Sequence, residues 1–198
     1  MKLKVPYYSQ FRDNIREEWK PKACTVTCLK MAGDFIAPER LPSIDQLFSE
    51  ALFHSGSMKS RGLIVGSNLS HGFPHDVIVL LAHNYGFLAY REEFKSKFVG
   101  KDGSIKESQY SVEMTEKGIN RLCQAIRDGK PVIVSVLPGL SEGGSFHTIL
   151  LVGFEEENGE ISGFYYHDPD SRVLDLDTIY IPLSKFLEFW RKMAIFIG

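Results

Sequence analysis

The sequence predicts an α+β fold on three observations: segments with helical spacing come first, mostly antiparallel strands follow, and no internal repeat or low-complexity tract interrupts that order. At 198 residues the chain is long enough for one well-cored domain and short for two. A single domain over 1–198 is expected, with a helical part of about 1–128 packed on a sheet part of about 129–198.

Val5-Pro6-Tyr7-Tyr8-Ser9-Gln10 reads as a short extended start, because the proline holds Val5 in the β or polyproline region. The polar stretch 11–22 follows as a surface loop around one packed tryptophan, Trp19. From Cys24, apolar residues at 28, 31, 32 and 35 predict a helix to about Ile36, stopped by Ala37-Pro38. Ser43-Ile44-Asp45-Gln46 has capping-box spacing and opens a second helix expected to end before Gly56. The glycine-rich stretch 56–72 is then a long loop, and a third helix over 77–85 is closed by Gly86.

Residues 87–94 look like a strand and 95–108 like loop or ragged edge. A fourth helix is expected over 115–128, with Ile119, Leu122, Cys123 and Ile126 on one face. Gly129-Lys130-Pro131 turns the chain into the apolar strand 132–137, buried on both faces. Strands over 148–154 and 161–169 form a hairpin about Asn158-Gly159. A strand over 172–181, a short helix over 182–191 and a last strand over 194–197 complete the order.

Hydrophobic content of 43%, charged content of 24% and a formal net charge of -2 describe an ordinary soluble protein. No excess of charge drives it toward nucleic acid or a membrane surface. No apolar run is long enough to span a bilayer, and Met1 to Tyr8 lacks the apolar core of a signal segment. A cytoplasmic protein is expected as the sequence stands, and a secreted or surface-located one if a signal has been trimmed. Three cysteines, two of them four residues apart on one helix, argue against a disulfide framework. Oligomeric state is not written in the sequence.

The chemistry begins with Cys24 in the first turn of its helix. There unpaired N–H groups and the positive end of the dipole favour a thiolate. The plain alternative is a small buried residue, as free cysteine often is. The hairpin supplies a base. If Glu155 pairs with Glu160, His147 lies opposite Asp168; if Asn158-Gly159 forms a two-residue turn, Asp168 faces Ile149 instead, the same-face neighbour of His147. Either register places His147 and Asp168 on one face, about 5 Å or about 7–8 Å apart, and turns His167 to the other. A carboxylate against the ring fixes its tautomer and stabilises the imidazolium. Gln10 can offer a side-chain N–H to an oxyanion together with the Cys24 backbone N–H. Gln10, Cys24, His147 and Asp168 therefore make a complete acyl-transfer set.

A metal site is disfavoured. Proline and glycine between His71 and His75 deny them a shared helical face, and Cys24, Cys28 and His147 lack a fourth ligand. No cofactor is expected.

Several stretches resemble the bacteriocin-processing-type cysteine peptidases, papain-like enzymes, and most of all their stand-alone peptidase-like branch. They are Val5 to Gln10, Ala23-Cys24 with Thr27, Gly129-Lys130-Pro131-Val132-Ile133, His147 opening an apolar strand to Val152-Gly153-Phe154, and His167-Asp168-Pro169. The resemblance implies a papain-like fold and a peptide or protein substrate. It also implies Gln10 as oxyanion donor, Cys24 as nucleophile, His147 as base and Asp168 as its orienter. Thr25-Val26 stands where that family has Gly-Pro, which implies a narrowed oxyanion hole or a redirected substrate. Three functions follow: a thiol peptidase cutting through a Cys24 thioester, a degenerate member that binds peptides without cutting, and an amine-accepting transferase. The loops 56–72 and 139–146 are the expected source of pocket residues.

Overall fold

The computed structural model describes residues 1–13, 15–62, 72–95, 97–99, 105–107, 111–140, 147–171 and 178–198. Their elements are α1 (Cys24–Ile36), α2 (Ile44–Ser60), α3 (His75–Asn84), β1 (Ala89–Glu93), β2 (Lys97–Val99), β3 (Ile105–Glu107), α4 (Val112–Arg127), β4 (Val132–Val136), β5 (His147–Glu157), β6 (Glu160–His167), β7 (Ile179–Pro182), α5 (Leu183–Phe189) and β8 (Trp190–Ile197). A 3-10 turn, Lys20–Lys22, leads into α1. Six strands form one antiparallel sheet in the order β1-β8-β4-β5-β6-β7. The α+β expectation holds. β1 lies before residue 128 in the chain yet pairs with β8 at the sheet's edge.

Alternation along the strands divides the sheet's two faces. Ile133, Leu150, Val152 and Ile195 meet Val26, Leu29, Leu47 and Leu81 from α1, α2 and α3. Val132, Val134, Ile149, Leu151 and Phe196 meet Leu122 and Ile126 of α4 and Phe186 of α5. Helices thus cover both faces, and β4 is buried throughout, Ser135 included, as its mostly apolar run predicts.

Three expectations are corrected. α2 continues to Ser60 rather than ending before Gly56. A Cβ at Gly56 would meet nothing within 4 Å, and the left-handed residue past the helix end is Gly62 at φ +70°. α4 starts a turn earlier than expected because Ser111 caps it, its hydroxyl accepting from the Met114 N–H at 3.1 Å. Residues 97–99 and 105–107, expected as loop, pair as a two-stranded sheet. Ser43 caps α2 through Gln46 as expected, and Gly86 is left-handed at φ +76°.

The β5–β6 hairpin decides where the site residues fall. At its tip Glu157 pairs with Glu160, the two-residue turn of the second expected register. A bulge then shifts the ladder by one residue, and a second, at Val152, shifts it back, so that Leu150 pairs with His167. The second bulge is clasped by the chain's start: the Leu3 N–H donates to the Val152 carbonyl at 2.8 Å, and the Phe154 N–H to the Met1 carbonyl at 2.9 Å. Glycine is required at 153, where a Cβ would come within 2.6 Å of the Met1 carbonyl oxygen.

Candidate active site

Cys24 is the first residue of α1 and is buried. The first full helical bond runs from the Thr27 N–H to the Ala23 carbonyl at 2.8 Å, which leaves the N–H groups of Cys24, Thr25 and Val26 ahead of the helical ladder. No side chain caps this end, so its positive pole acts on the thiol itself.

His147 opens β5 opposite Val136 of β4, and Asp168 follows the last residue of β6. Both are buried, and the ring's Nε2 lies 2.6 Å from Asp168 Oδ1. That oxygen also accepts from the Asp170 N–H at 2.9 Å, while the Asp168 carbonyl accepts from the Tyr7 hydroxyl at 2.9 Å. With Nε2 committed to the carboxylate, Nδ1 is the ring nitrogen left for the Cys24 thiol, which lies within hydrogen-bonding reach.

Burial raises the Cys24 pKa, but hydrogen bonding and charge from His147, with hydroxyls from Thr25 and Thr148, outweigh it and leave the thiol more acidic than an ordinary cysteine. Burial lowers the His147 pKa, and Asp168 together with Cys24 reverses this and pushes it up to about 10. Each shift draws on the other group: His147 makes Cys24 more acidic, and Cys24 with Asp168 makes His147 more basic. The other two cysteines go the opposite way: burial pushes Cys28 well up and Cys123 to about 11.

Gln10 is buried, and its N–H donates to the Pro169 carbonyl at 2.8 Å. With Tyr7 on the Asp168 carbonyl and the Ser9 hydroxyl on the Ser171 carbonyl at 3.0 Å, this laces residues 7–10 to 168–171. The buried Gln10 Oε1 has no hydrogen-bond partner among the described residues. His167 turns to the opposite face, as the hairpin predicts, with Nε2 at 3.1 Å from the Val5 carbonyl. Trp19 stacks on Phe48 at 4.7 Å, a packing role.

One hydroxyl at the site, that of Thr148, escapes sequence reasoning, and the other, that of Thr25, is read there only as a departure from Gly-Pro. Thr25 Oγ1 lies 3.0 Å from Thr148 Oγ1 and 3.7 Å from Cys24 Sγ, all three residues being buried. Thr148 follows the histidine as Thr25 follows the cysteine, and that position in the chain is the only signal that points to Thr148.

Among the described residues no group of three or more His, Cys, Asp or Glu side chains could hold a metal ion. His71 lies outside the described residues, as do 63–70 and 141–146 of the two expected pocket loops, and His75 is engaged with Ser135, Nε2 to Oγ at 2.6 Å. No described helix is long and apolar enough to cross a membrane.

The family model described as "Peptidase_C39 like family" matches residues 2–195. The fold is similar to that of a double glycine motif protease from an AMS/PCAT transporter, solved in complex with its leader peptide, at 14% identity and a TM-score of 0.55 over 99% of this chain and 92% of that one. It is also similar to the peptidase domain of Streptococcus ComA, a bifunctional ABC transporter of a quorum-sensing pathway, at 15% identity and a TM-score of 0.52 over 89% of this chain and 91% of that one. No curated relative matches by sequence.

Proposed function

This chain belongs to the peptidase C39-like family and has its papain-like fold, and from that premise we propose that it is a working cysteine peptidase built on Cys24, His147, Asp168 and Gln10. The observation that carries the reading is the His147 ring held between Asp168 and Cys24, with Cys24 the one acidified thiol among three. The fold's likeness to a peptidase solved with a leader peptide favours an extended peptide as the substrate.

In this mechanism the Cys24 thiolate attacks a peptide carbonyl. The resulting oxyanion takes hydrogen bonds from the Cys24 N–H and the Gln10 amide. His147 then delivers its Nδ1 proton to the leaving amine, while Asp168 keeps Nε2 protonated and the ring in place. A water, deprotonated by the now neutral His147, attacks the thioester and restores the thiol pair. The whole chain is taken as one peptidase unit.

The test is turnover of a denatured-protein or peptide-library substrate by the parent and by Cys24→Ala, with folding checked by circular dichroism. Cleavage by the parent and none by the variant is expected. Equal cleavage by both would sink the proposal.

A second reading rests on Thr25, whose side chain occupies the turn after the nucleophile: a peptide-binding member that does not cut. It predicts peptide affinity unaffected by alkylating Cys24. Multiple turnover removes it, and turnover that yields only hydrolysis products with added amine present removes a transferase.

A further inference from the structure

Beside His147 lies a cavity of about 240 Å³ whose described lining includes neither Cys24, Gln10 nor Asp168. Thr25, His147 and Thr148 line it, so it adjoins the side chains around the Cys24 sulfur. Its lining also carries two guanidinium groups, Arg91 of β1 and Arg191 of β8, with Ser135 of β4 and His75 at the start of α3. Among the described lining residues the one carboxylate, Asp76, already accepts from Arg91 Nε at 2.7 Å. Arg91 Nη1 donates to Glu93 at 2.6 Å, and its Nη2 has no partner among the described residues.

His75 reports on the field inside. Its Nδ1 is buried with no hydrogen-bond partner among the described residues. Burial first, and then the charges of Arg191 and Arg91, hold the ring neutral down to about pH 4, and these guanidiniums outrank the opposing Asp76 and Glu93. The cavity is therefore rich in donors and positive in potential at its floor. Glycine would leave it unfilled, and an apolar side chain would strip water from guanidinium and hydroxyl groups without replacing their hydrogen bonds.

We propose that this cavity is a substrate side-chain subsite flanking the scissile bond, and that it takes the carboxylate of a glutamate or aspartate on Arg91 and Arg191. The proposal rests on the reading of Cys24 and His147 as the cutting site, and it names the substrate class for that site: peptides with an acidic residue next to the bond that is cut. A carboxylate reaching the guanidiniums makes charge-assisted hydrogen bonds, which arginine's planar fork suits.

The test uses the Cys24→Ala protein, which cannot cut, with the His75 ring resonances followed by NMR. N-acetyl-glutamate amide, N-acetyl-glutamine amide and acetate are titrated in turn. The glutamate amide is expected to shift His75 saturably and raise the pH of its titration, because a bound carboxylate favours the charged ring. The glutamine amide should bind at least tenfold more weakly. Arg191→Gln and Arg91→Gln should each reduce that preference, and Arg191→Lys should keep part of it. Equal binding of the two amides overturns the proposal, as does a preference that survives both glutamine variants. Acetate binding as tightly as the glutamate amide also overturns it, by showing a free-carboxylate site that reads no side chain. Parent protein that cuts no peptide while the glutamate preference stands refutes the peptidase reading alone.

Discussion

The first and second turns of α1 carry the same side chain in the same burial and give it opposite chemistry. Cys24 and Cys28 are one turn apart, and neither is open to solvent. Cys24 faces an imidazole ring and two hydroxyls and is acidified. Cys28 has only the Thr148 carbonyl, at 3.5 Å, and the negative charges of Cys24 and Asp168, and it is held as a neutral thiol. Desolvation acts on both. What separates them is whether donors or negative charge surround the sulfur, so a reactive cysteine is made by its neighbours and not by burial.

The largest break in this contrast is expected from His147→Ala. Cys24 alkylation by iodoacetamide, followed by mass mapping across pH, should move to higher pH toward the profile of Cys28, and turnover should fall by about 10⁶, as when a catalytic histidine is lost elsewhere. An unmoved profile would refute the ion pair. In the parent, turnover should rise as pH climbs through the lowered Cys24 pKa, which forms the thiolate. It should fall as pH passes about 10, where His147 loses the proton destined for the leaving amine.

Gln10→Ala comes next. It should cost about 10²–10³ in kcat while the Cys24 alkylation profile stays in place, since an oxyanion donor acts on the transition state and not on the resting thiol. A shifted profile would make Gln10 part of the thiol's own environment.

Much of this contrast is legible in the sequence, and the illegible part has one physical cause. The helix start at Cys24 and the shared face of His147 and Asp168 follow from local periodicity and turn chemistry, which need no knowledge of distant residues. The Thr25–Thr148 pair is invisible there because its members are 123 residues apart. Local signals misled where a side chain other than the expected one supplied the cap: Ser111 for α4, and Gly62 rather than Gly56 beyond α2. The β2–β3 pair has strands of three residues each, too short for an alternating pattern to announce them.

Thr25→Val should have a smaller effect than His147→Ala and in the same direction. Losing one hydroxyl near Cys24 Sγ moves the alkylation profile modestly to higher pH, and Thr25→Ser should restore it. The smallest functional effect belongs to Cys28→Ala, expected to lower stability by about 1 kcal/mol through a minor cavity while leaving Cys24 reactivity unchanged. Chemical denaturation together with the same alkylation assay checks both halves of that statement.

The paired bulges in the β5–β6 hairpin make it behave like a vernier. Its tip and its base run in the same phase, while the segment between them is offset by one residue. Residues 1–10 tie both strands at the base, Met1 and Leu3 to Val152–Phe154 of β5, and Val5 and Gln10 to His167 and Pro169 on the other side. The turn at Asn158–Gly159 can therefore gain or lose length without rotating His147 away from Asp168. Variation in this hairpin is free to accumulate at its far end, and the dyad at the near end is insulated from it.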